Sequence, residues 1–173
     1  IPTGAGIAFN TAKIKKGDSV AVFGVGGVGL SAVIGAKLRE AKSIIAIDLF
    51  DHKLERARNL GATHAINCKE QNVASCINEI TQNAGLDFAI EASGNSEAME
   101  LAFQSIRGGG GLCVLAGNLP AGKTISIDPL DLIKGKKIIG SWGGETQPDK
   151  DIPIYLDLYK TGKLKLASLI TQT

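Results

Sequence analysis

The sequence has no long apolar run and no excess of charge of either sign. Its 173 residues include no stretch of about 18 consecutive apolar residues, the minimum that would predict a transmembrane helix. The 19 basic and 17 acidic residues leave a net charge of +2, so we expect neither nucleic acid nor a membrane as a partner. Hydrophobic residues make up 44% of the chain and charged residues 21%, which excludes intrinsic disorder.

Cysteine is scarce, and its spacing forms no known motif. Cys68, Cys76 and Cys113 include no C-x-x-C pair, which excludes a zinc ribbon and a thiol redox motif. Cys76 and Cys113 lie in apolar patterns, so we predict that both pack in the core. The lack of a disulfide framework is typical of a reducing compartment, and we expect a cytoplasmic protein.

Motifs that carry chemistry are missing as well. Tyr155 and Lys160 are one residue too far apart for a Y-x-x-x-K acid–base pair. The chain contains no G-x-S-x-G elbow, no H-E-x-x-H helix and no Walker motif. His52 lies in a charged stretch and is predicted to be a surface residue. We therefore predict no catalytic residue and no metal ligand in this chain.

What the sequence does contain is a regular alternation of short apolar runs with longer amphipathic stretches. The apolar runs predict strands at 19–23, 43–48, 64–68, 86–92, 112–116 and 137–142. The amphipathic stretches predict helices at 3–13, 30–40, 51–60, 72–81 and 96–107, a short helix around 128–133, and a last helix at 153–161. Asn95 is predicted to cap the helix that follows it.

This alternation predicts a single α/β domain. Unbroken apolar strands are typical of a parallel sheet that is covered by helices on both faces. Six such strands favour a doubly wound, Rossmann-type sheet with the order 3-2-1-4-5-6.

The most informative motif is the glycine-rich segment 24–29, GVGGVG, which matches G-x-G-x-x-G. It follows a predicted strand, precedes a predicted helix, and Asp48 lies 19 residues beyond Gly29, at the end of the next strand. In this context Gly24 permits a sharp turn, Gly26 lets the backbone approach a pyrophosphate, and Gly29 allows close helix packing. The segment therefore predicts a dinucleotide-binding site.

Asp48 also predicts which dinucleotide is bound. Its carboxylate can accept hydrogen bonds from the adenosine ribose and would repel a 2′-phosphate, so NAD is favoured over NADP. The next residues, Leu49 and Phe50, provide no arginine for such a phosphate. Lys53 either contacts the ribose or is a solvated helix lysine, and its spacing fits both interpretations equally.

Small residues follow the last three predicted strands. They are found at 91–95 (EASGN), 116–119 (AGNL) and 141–144 (SWGG). Ligands of doubly wound sheets bind beyond the carboxyl ends of the strands, so these segments are candidates for the same crevice. Each of them taken alone fits an ordinary turn equally well.

Taken together, these segments resemble the coenzyme-binding domain of the zinc-dependent, medium-chain alcohol dehydrogenases. The resemblance covers essentially the whole chain. It is carried by PTGAG at 2–6, VAVF at 20–23 leading into the glycine motif, AID at 46–48 with Lys53, LGAT at 60–63, IEASG at 90–94 and the glycine pair at 143–144.

The resemblance implies a role for each residue at a matching position. The pyrophosphate would be held by Gly24, Gly26, Gly27, Val28 and Gly29. The adenosine ribose would be held by Asp48 and Lys53, and the adenine would be bordered by Gly94 and Asn95. The nicotinamide end would be lined by Ala116, Gly117, Asn118, Ser141 and Trp142, and Thr3 would press on the nicotinamide ring.

The resemblance also implies that this chain works as part of a larger enzyme. In the family, a separate domain holds the catalytic zinc, and one cysteine ligand would fall just before Ile1. Because the chain opens without methionine and ends without a closing element, we expect residues 1–173 to be an NAD-binding domain excised from a longer chain. That enzyme would transfer hydride between an alcohol and NAD, whereas this part alone would bind NAD(H) without activity. Family members form dimers or tetramers through the sixth strand, where Ile138 and Ile139 lie.

Two other interpretations remain open at this point. A zinc-free quinone or enoyl reductase would share the fold but usually prefers NADPH, and it would favour a basic residue in place of Asp48. A stand-alone module that binds NAD to regulate a partner would need no catalytic domain. The alcohol or carbonyl substrate is not indicated by these residues.

Overall fold

The computed structural model describes residues 1–164 and 166–169, and these residues form one parallel sheet with helices on both faces. The strands lie in the order β3-β2-β1-β4-β5-β6, which confirms the predicted doubly wound arrangement. Their bounds are Ser19–Phe23 (β1), Ser43–Asp48 (β2), His64–Asn67 (β3), Phe88–Glu91 (β4), Leu112–Leu115 (β5) and Lys137–Gly140 (β6).

The helices connect these strands as the alternation predicts. They are Pro2–Gly6 (α1), Gly27–Leu38 (α2), Asp51–Leu60 (α3), Val73–Ile80 (α4), Ser96–Ser105 (α5), Pro129–Ile133 (α6) and Pro148–Lys160 (α7). None of the helices in the described part of the chain has both the length and the apolarity needed to span a bilayer.

The predicted helix at 3–13 is wrong in its second half. After α1 the chain forms a π-helical turn, Ile7–Thr11, in which Ala12 N–H donates to the Ile7 carbonyl at 2.8 Å. The wider turn lets Asn10 Nδ2 reach the Gly144 carbonyl at 3.3 Å. Long-range contacts therefore decide the local helix type here.

The predicted start of the last helix, at residue 153, is also wrong. Helix α7 begins at Pro148, five residues earlier, and Pro153 lies inside it. Asp151 Oδ2 accepts a hydrogen bond from Gln147 N–H at 2.9 Å, which stabilises the earlier start. Proline fits the first helical position, which Pro148 occupies here.

Strands β4 and β6 are shorter than predicted. Strand β4 covers Phe88–Glu91, and Leu86 forms only an isolated bridge with Ile106. Strand β6 ends at Gly140, so Ser141 and Trp142 follow the sheet edge as a turn. The polar and aromatic residues at 141–142 are thereby placed at the carboxyl end of the sheet.

The core has one apolar layer on each face of the sheet. In β1, Val20 and Val22 face the layer that contains α2, while Ala21 and Phe23 face the layer that contains α4 and α5. Cys113 is buried in the second layer, which confirms its predicted core position, whereas Cys76 is only partly buried and packs against that layer.

Helix α2 is buried on nearly all sides because α1 covers it. A Cβ atom on Gly35 would lie 2.7 Å from the Ala8 Cβ, and one on Gly4 would overlap the Val28 carbonyl oxygen. These two glycines let the helices approach closely. The contact places Thr3, next to Gly4, at the start of α2.

Candidate functional site

The turns that follow β1, β4 and β5 meet at the carboxyl edge of the sheet. A Cβ atom on Gly24 would lie 2.7 Å from the Ser93 Cβ, and one on Gly94 would lie 2.7 Å from the Asn118 carbonyl oxygen. The structure therefore brings together three of the segments that the sequence selects as candidates. The crevice beyond them is the candidate site.

Two glycines of the glycine-rich segment are required by the chain's own packing. Gly24 has φ of +83°, which favours glycine, and the chain turns there from β1 toward α2. A Cβ atom on Gly29 would overlap the Gly24 carbonyl oxygen. These observations agree with the turn and packing roles expected of the two residues.

The other two glycines have no such structural reason. Gly26 has φ of −76°, and Gly27 is not among the residues with positive φ. A Cβ atom on either one would meet nothing within 4 Å. Both residues are exposed, and Gly26 caps α2 without a side-chain hydrogen bond to the first turn. The helix thus begins with an open backbone surface that suits an anionic ligand.

Asp48 lies beside this surface and is only 8% exposed. Its Oδ2 accepts a hydrogen bond from Val25 N–H at 2.9 Å. Its Oδ1 accepts from Leu49 N–H at 2.8 Å and from Phe50 N–H at 3.2 Å. The carboxylate therefore links the glycine-rich segment to the end of β2, and it keeps free acceptor capacity for a further donor.

Two lysines surround Phe50 near this carboxylate. Lys53 Nζ lies 3.8 Å from Asp48 Oδ1 and 5.0 Å from the centre of the Phe50 ring. Lys69 Nζ lies 4.7 Å from the same ring centre. Sequence reasoning missed Lys69, because it follows β3 and only the parallel pairing of β2 with β3 brings it here. This end of the site thus carries one carboxylate and two amines.

Thr3, Val28 and the loop after β6 form the opposite end of the site. A Cβ atom on Gly144 would overlap the Thr3 carbonyl oxygen, so α1 lies directly against this loop. Ser141 Oγ is 2.8 Å from Thr11 Oγ1, which fastens the start of the loop to the π-helical turn. Trp142 is 91% exposed and packs little against the rest of the domain.

Asn95 is used by the fold itself. Its side-chain oxygen accepts a hydrogen bond from Ala98 N–H at 3.0 Å, which confirms the predicted cap of α5. The backbone of Gly94, with φ of +74°, lies against Asn118. Contacts of this segment with a ligand would therefore come mainly from its backbone.

Glu91, at the end of β4, lies in the candidate segment 91–95, but the sequence assigns it no role of its own. It is fully buried, and its Oε1 accepts hydrogen bonds from Ser93 N–H at 2.7 Å, from the Ser93 hydroxyl and from Gly94 N–H at 2.9 Å. The signal in the sequence is an acidic residue at the end of an otherwise apolar strand.

Among the described residues, no side chains form a metal centre at the site. A cleft of about 650 Å³ lies elsewhere, where Phe9, Arg39 and Asp151 line it between the π-helical turn and α7. Within residues 1–164 and 166–169, no group of three or more histidine, cysteine or acidic side chains could hold a metal ion. A zinc ion therefore does not fit the side chains described.

Comparison with known proteins defines the class. Residues 27–161 match the family model described as zinc-binding dehydrogenase. The chain is 43% identical to alcohol dehydrogenase class-2 isozyme 2 of Oryctolagus cuniculus, over 99% of this chain and 45% of that protein. It is 39% identical to an S-(hydroxymethyl)glutathione dehydrogenase of Synechocystis, over 100% of this chain and 47% of that protein.

A solved structure agrees with these matches. The crystal structure of benzyl alcohol dehydrogenase from Acinetobacter calcoaceticus superimposes with a TM-score of 0.94 at 37% identity, over 98% of this chain and 47% of that chain. The chain belongs to the zinc-binding dehydrogenase family, as the sequence resemblance indicated. It spans about half the length of the curated relatives that it matches.

Proposed function

We propose that residues 1–173 are the NAD(H)-binding part of a zinc-dependent alcohol dehydrogenase. The single observation that carries this proposal is the open backbone surface at Gly26 and Gly27. Neither φ nor packing requires glycine at these two positions, so the approach of a ligand is the remaining physical reason for them. A pyrophosphate suits the surface, because it lies at the start of the twelve-residue helix α2.

The residues around this surface would contact different parts of the cofactor. Gly24 and Gly29 shape the turn, and Val28 lies at the start of α2 toward Thr3. Asp48 accepts from the adenosine ribose with the acceptor capacity that Val25, Leu49 and Phe50 leave free. When bound, NAD⁺ would accept a hydride and NADH would donate one.

Thr3 and the turns after β5 and β6 would surround the nicotinamide end. Ala116 and Gly117 follow β5, and both of their N–H groups are fixed by the Glu91 carbonyl. The remaining members of this group are Asn118, Ser141 and Trp142. No side chain among them is a proton-transfer group suited to alcohol oxidation, so this part of the enzyme binds and orients the cofactor.

The substrate that the enzyme oxidises would be an alcohol, and the product would be the corresponding aldehyde or ketone. The names of the relatives include alcohol, benzyl alcohol and S-(hydroxymethyl)glutathione dehydrogenases, which supports this substrate class. The zinc and most of the substrate pocket would belong to the rest of the enzyme. Three free cysteines and no disulfide are compatible with the cytoplasm.

The edge strand β6 would pair with a second copy of the protein. Its neighbourhood exposes apolar side chains at Ile139, Leu132 and Ile133, the last of them 80% exposed. Exposed edge strands with apolar neighbours favour strand pairing between subunits. Light scattering of the unmodified chain and of Ile139→Lys should show a dimer or tetramer that the lysine variant reduces to monomer.

A zinc-free reductase that prefers NADPH is the second candidate. It is favoured by one observation, which is the pair of amines of Lys53 and Lys69 at the Phe50 ring. The amines could accept a 2′-phosphate, whereas the nearby Asp48 carboxylate would repel it.

Calorimetric titration with NADH and NADPH, in parallel on the same sample, separates the two candidates. We expect NADH to bind at least tenfold more tightly. Tighter binding of NADPH would favour the reductase. No binding of either cofactor by a sample that unfolds cooperatively would overturn the proposed function.

A further inference from the structure

Glu91 is a fully buried carboxylate at the centre of the sheet. It is the last residue of β4, and it is paired in register with Phe23 of β1 and with Leu115 of β5, both of which are apolar. Burying a carboxylate among such neighbours is costly unless hydrogen bonds compensate for the lost water. A well-packed apolar residue often serves stability equally well at such a position. Because burying this carboxylate costs free energy, we expect Glu91 to have a role other than packing.

The hydrogen bonds of Glu91 go to two different turns. Its Oε1 accepts all three of its hydrogen bonds from Ser93 and Gly94, in the turn after β4. Its main-chain carbonyl accepts from Ala116 N–H at 2.8 Å and from Gly117 N–H at 3.1 Å, in the turn after β5. One residue thus holds both turns with five hydrogen bonds.

These turns are packed tightly against one another. Ser93 lies against Gly24, and a Cβ atom on Gly24 would approach the Ser93 nitrogen to 2.8 Å. On the other side, a Cβ atom on Gly117 would overlap the Gly94 nitrogen. The Ser93–Gly94 turn is therefore held between the glycine-rich turn and the β5 turn with no free space.

The second oxygen of Glu91 points to the same junction. Oε2 is buried and has no hydrogen-bond partner among the described residues, and a Cβ atom on Gly117 would lie 2.6 Å from it. One carboxylate oxygen thus accepts three hydrogen bonds from the turn after β4, whereas the other faces the turn after β5 without a described hydrogen-bond partner. This arrangement fixes the turns at the expense of the carboxylate's own solvation.

We propose that Glu91 is a positioning residue for the cofactor, because through Ser93 and Gly94 it sets the spacing between the Gly24 turn and the Gly117 turn. Both turns are among those that the proposed function assigns to NAD(H), so the inference rests on that function. Glu91 itself touches neither the cofactor nor the reacting atoms. It acts through the length of its side chain, which carries Oε1 to the Ser93 and Gly94 N–H groups.

Two substitutions separate side-chain length from charge. Glu91→Gln keeps an oxygen at the same reach, so we expect an NADH affinity within about threefold of the unmodified protein. Glu91→Asp keeps the charge but is one methylene shorter, so we expect an affinity about tenfold lower. Ser93→Ala removes only the hydroxyl donor and should lower the affinity by about fivefold, which provides a second test if Glu91→Asp does not fold.

The control residue lies just before the same strand, at the opposite edge of the sheet. Asp87 precedes β4 and accepts hydrogen bonds from Ser19 N–H at 2.9 Å and from Arg107 Nε at 2.7 Å. Asp87→Asn should lower the midpoint of thermal unfolding without changing NADH affinity. Affinity is measured by titration well below that midpoint, so that a loss of stability alone does not alter the result.

Each outcome decides one question. If Glu91→Asp and Ser93→Ala bind NADH as tightly as the unmodified protein, the positioning role is overturned while the proposed function stands. The same conclusion follows if Glu91→Gln loses as much affinity as Glu91→Asp. If the unmodified protein folds but binds no NADH, the proposed function is overturned, and the cofactor role of Glu91 with it.

Discussion

The carboxylate of Asp48 accepts a hydrogen bond from the backbone N–H of Val25 at 2.9 Å. This contact joins the end of β2 to the middle of the glycine-rich segment. Asp48 therefore has a structural role beside its proposed role at the ribose, because it holds the backbone on which a pyrophosphate would rest. Substitutions at this position affect the shape of the site and its charge together.

Replacing Asp48 with asparagine should weaken NADH binding and reduce the preference over NADPH. An asparagine amide has only one accepting oxygen. It cannot accept both from Val25 N–H and from the Leu49 and Phe50 N–H groups, so either the first or the latter two lose their acceptor. We expect the NADH/NADPH affinity ratio to fall about tenfold and the free energy of unfolding to fall by about 1–3 kcal/mol.

Asp51→Asn is the matched control for this experiment. It removes one negative charge from an exposed position at the start of α3, three residues away, where the carboxylate accepts from Asn67 Nδ2. It should leave the NADH/NADPH ratio within about twofold of the unmodified value. An unchanged ratio in Asp48→Asn would show that this carboxylate does not select the cofactor.

Replacing Gly26 with alanine should separate ligand binding from folding. The added methyl group meets no atom of the chain within 4 Å, and φ of −76° suits alanine. The free energy of unfolding should therefore change by no more than about 1 kcal/mol, because the entropic gain from alanine and the loss of a glycine N-cap oppose each other. NADH affinity should fall at least tenfold, because the methyl group lies where the pyrophosphate would approach.

Gly108→Ala tests the same change at the other end of the sheet. Gly108 precedes β5, is exposed, and would bring a Cβ atom no closer than 3.5 Å to the Lys134 carbonyl oxygen. Its effect on stability should resemble that of Gly26→Ala, and its effect on NADH affinity should be absent. Full NADH affinity in Gly26→Ala would contradict the proposed placement of the pyrophosphate.

The sequence predicts the sheet and the glycine-rich segment well because both depend on local patterns. Continuous apolar runs identify buried parallel strands, and a motif that joins a strand to a helix identifies Gly24–Gly29. For this reason the order of the strands in the sheet matches the prediction, and five of the seven helices lie close to their predicted positions. The positions of Asp48 and Lys53 follow from the same local spacing.

The missed features depend on contacts between distant parts of the chain. The π-helical turn is stabilised by Asn10 and Gly144, which are 134 residues apart. Lys69 reaches Phe50 only through the pairing of β2 with β3. The role of Glu91 depends on the packing of three turns. No periodicity or motif within one segment carries this information.

The thiols should differ strongly in reactivity. Burial raises the pKa of Cys113 to about 12, and the nearby charge of Glu91 adds to this effect. Because the thiolate is the reactive form, Cys113 should stay unmodified by an aromatic disulfide reagent at pH 8 until denaturant is added. Cys68 is exposed and should react first. Cys68→Ser should remove the fast phase alone, and a fast phase that remains in this variant would contradict the assignment.

Asp87 should make stability depend on pH in the acid range. Burial alone would raise the pKa of this carboxyl, but hydrogen bonds from Ser19 and Arg107 and the Arg107 charge together hold it below its ordinary value. A lowered pKa in the folded state stabilises the fold above the unfolded pKa of about 3.9 and loses that contribution as pH falls through the folded pKa. The free energy of unfolding should therefore exceed that of Asp87→Asn by about 1 kcal/mol at pH 7, and this difference should shrink below about pH 4.

Urea unfolding of both proteins at several pH values between 7 and 3 measures this difference. The control is Asp157→Asn, a change at an exposed helix position, which should have little effect at pH 7. A difference that persists unchanged to pH 3 would mean that the Asp87 carboxylate does not stabilise this end of the sheet through its charge.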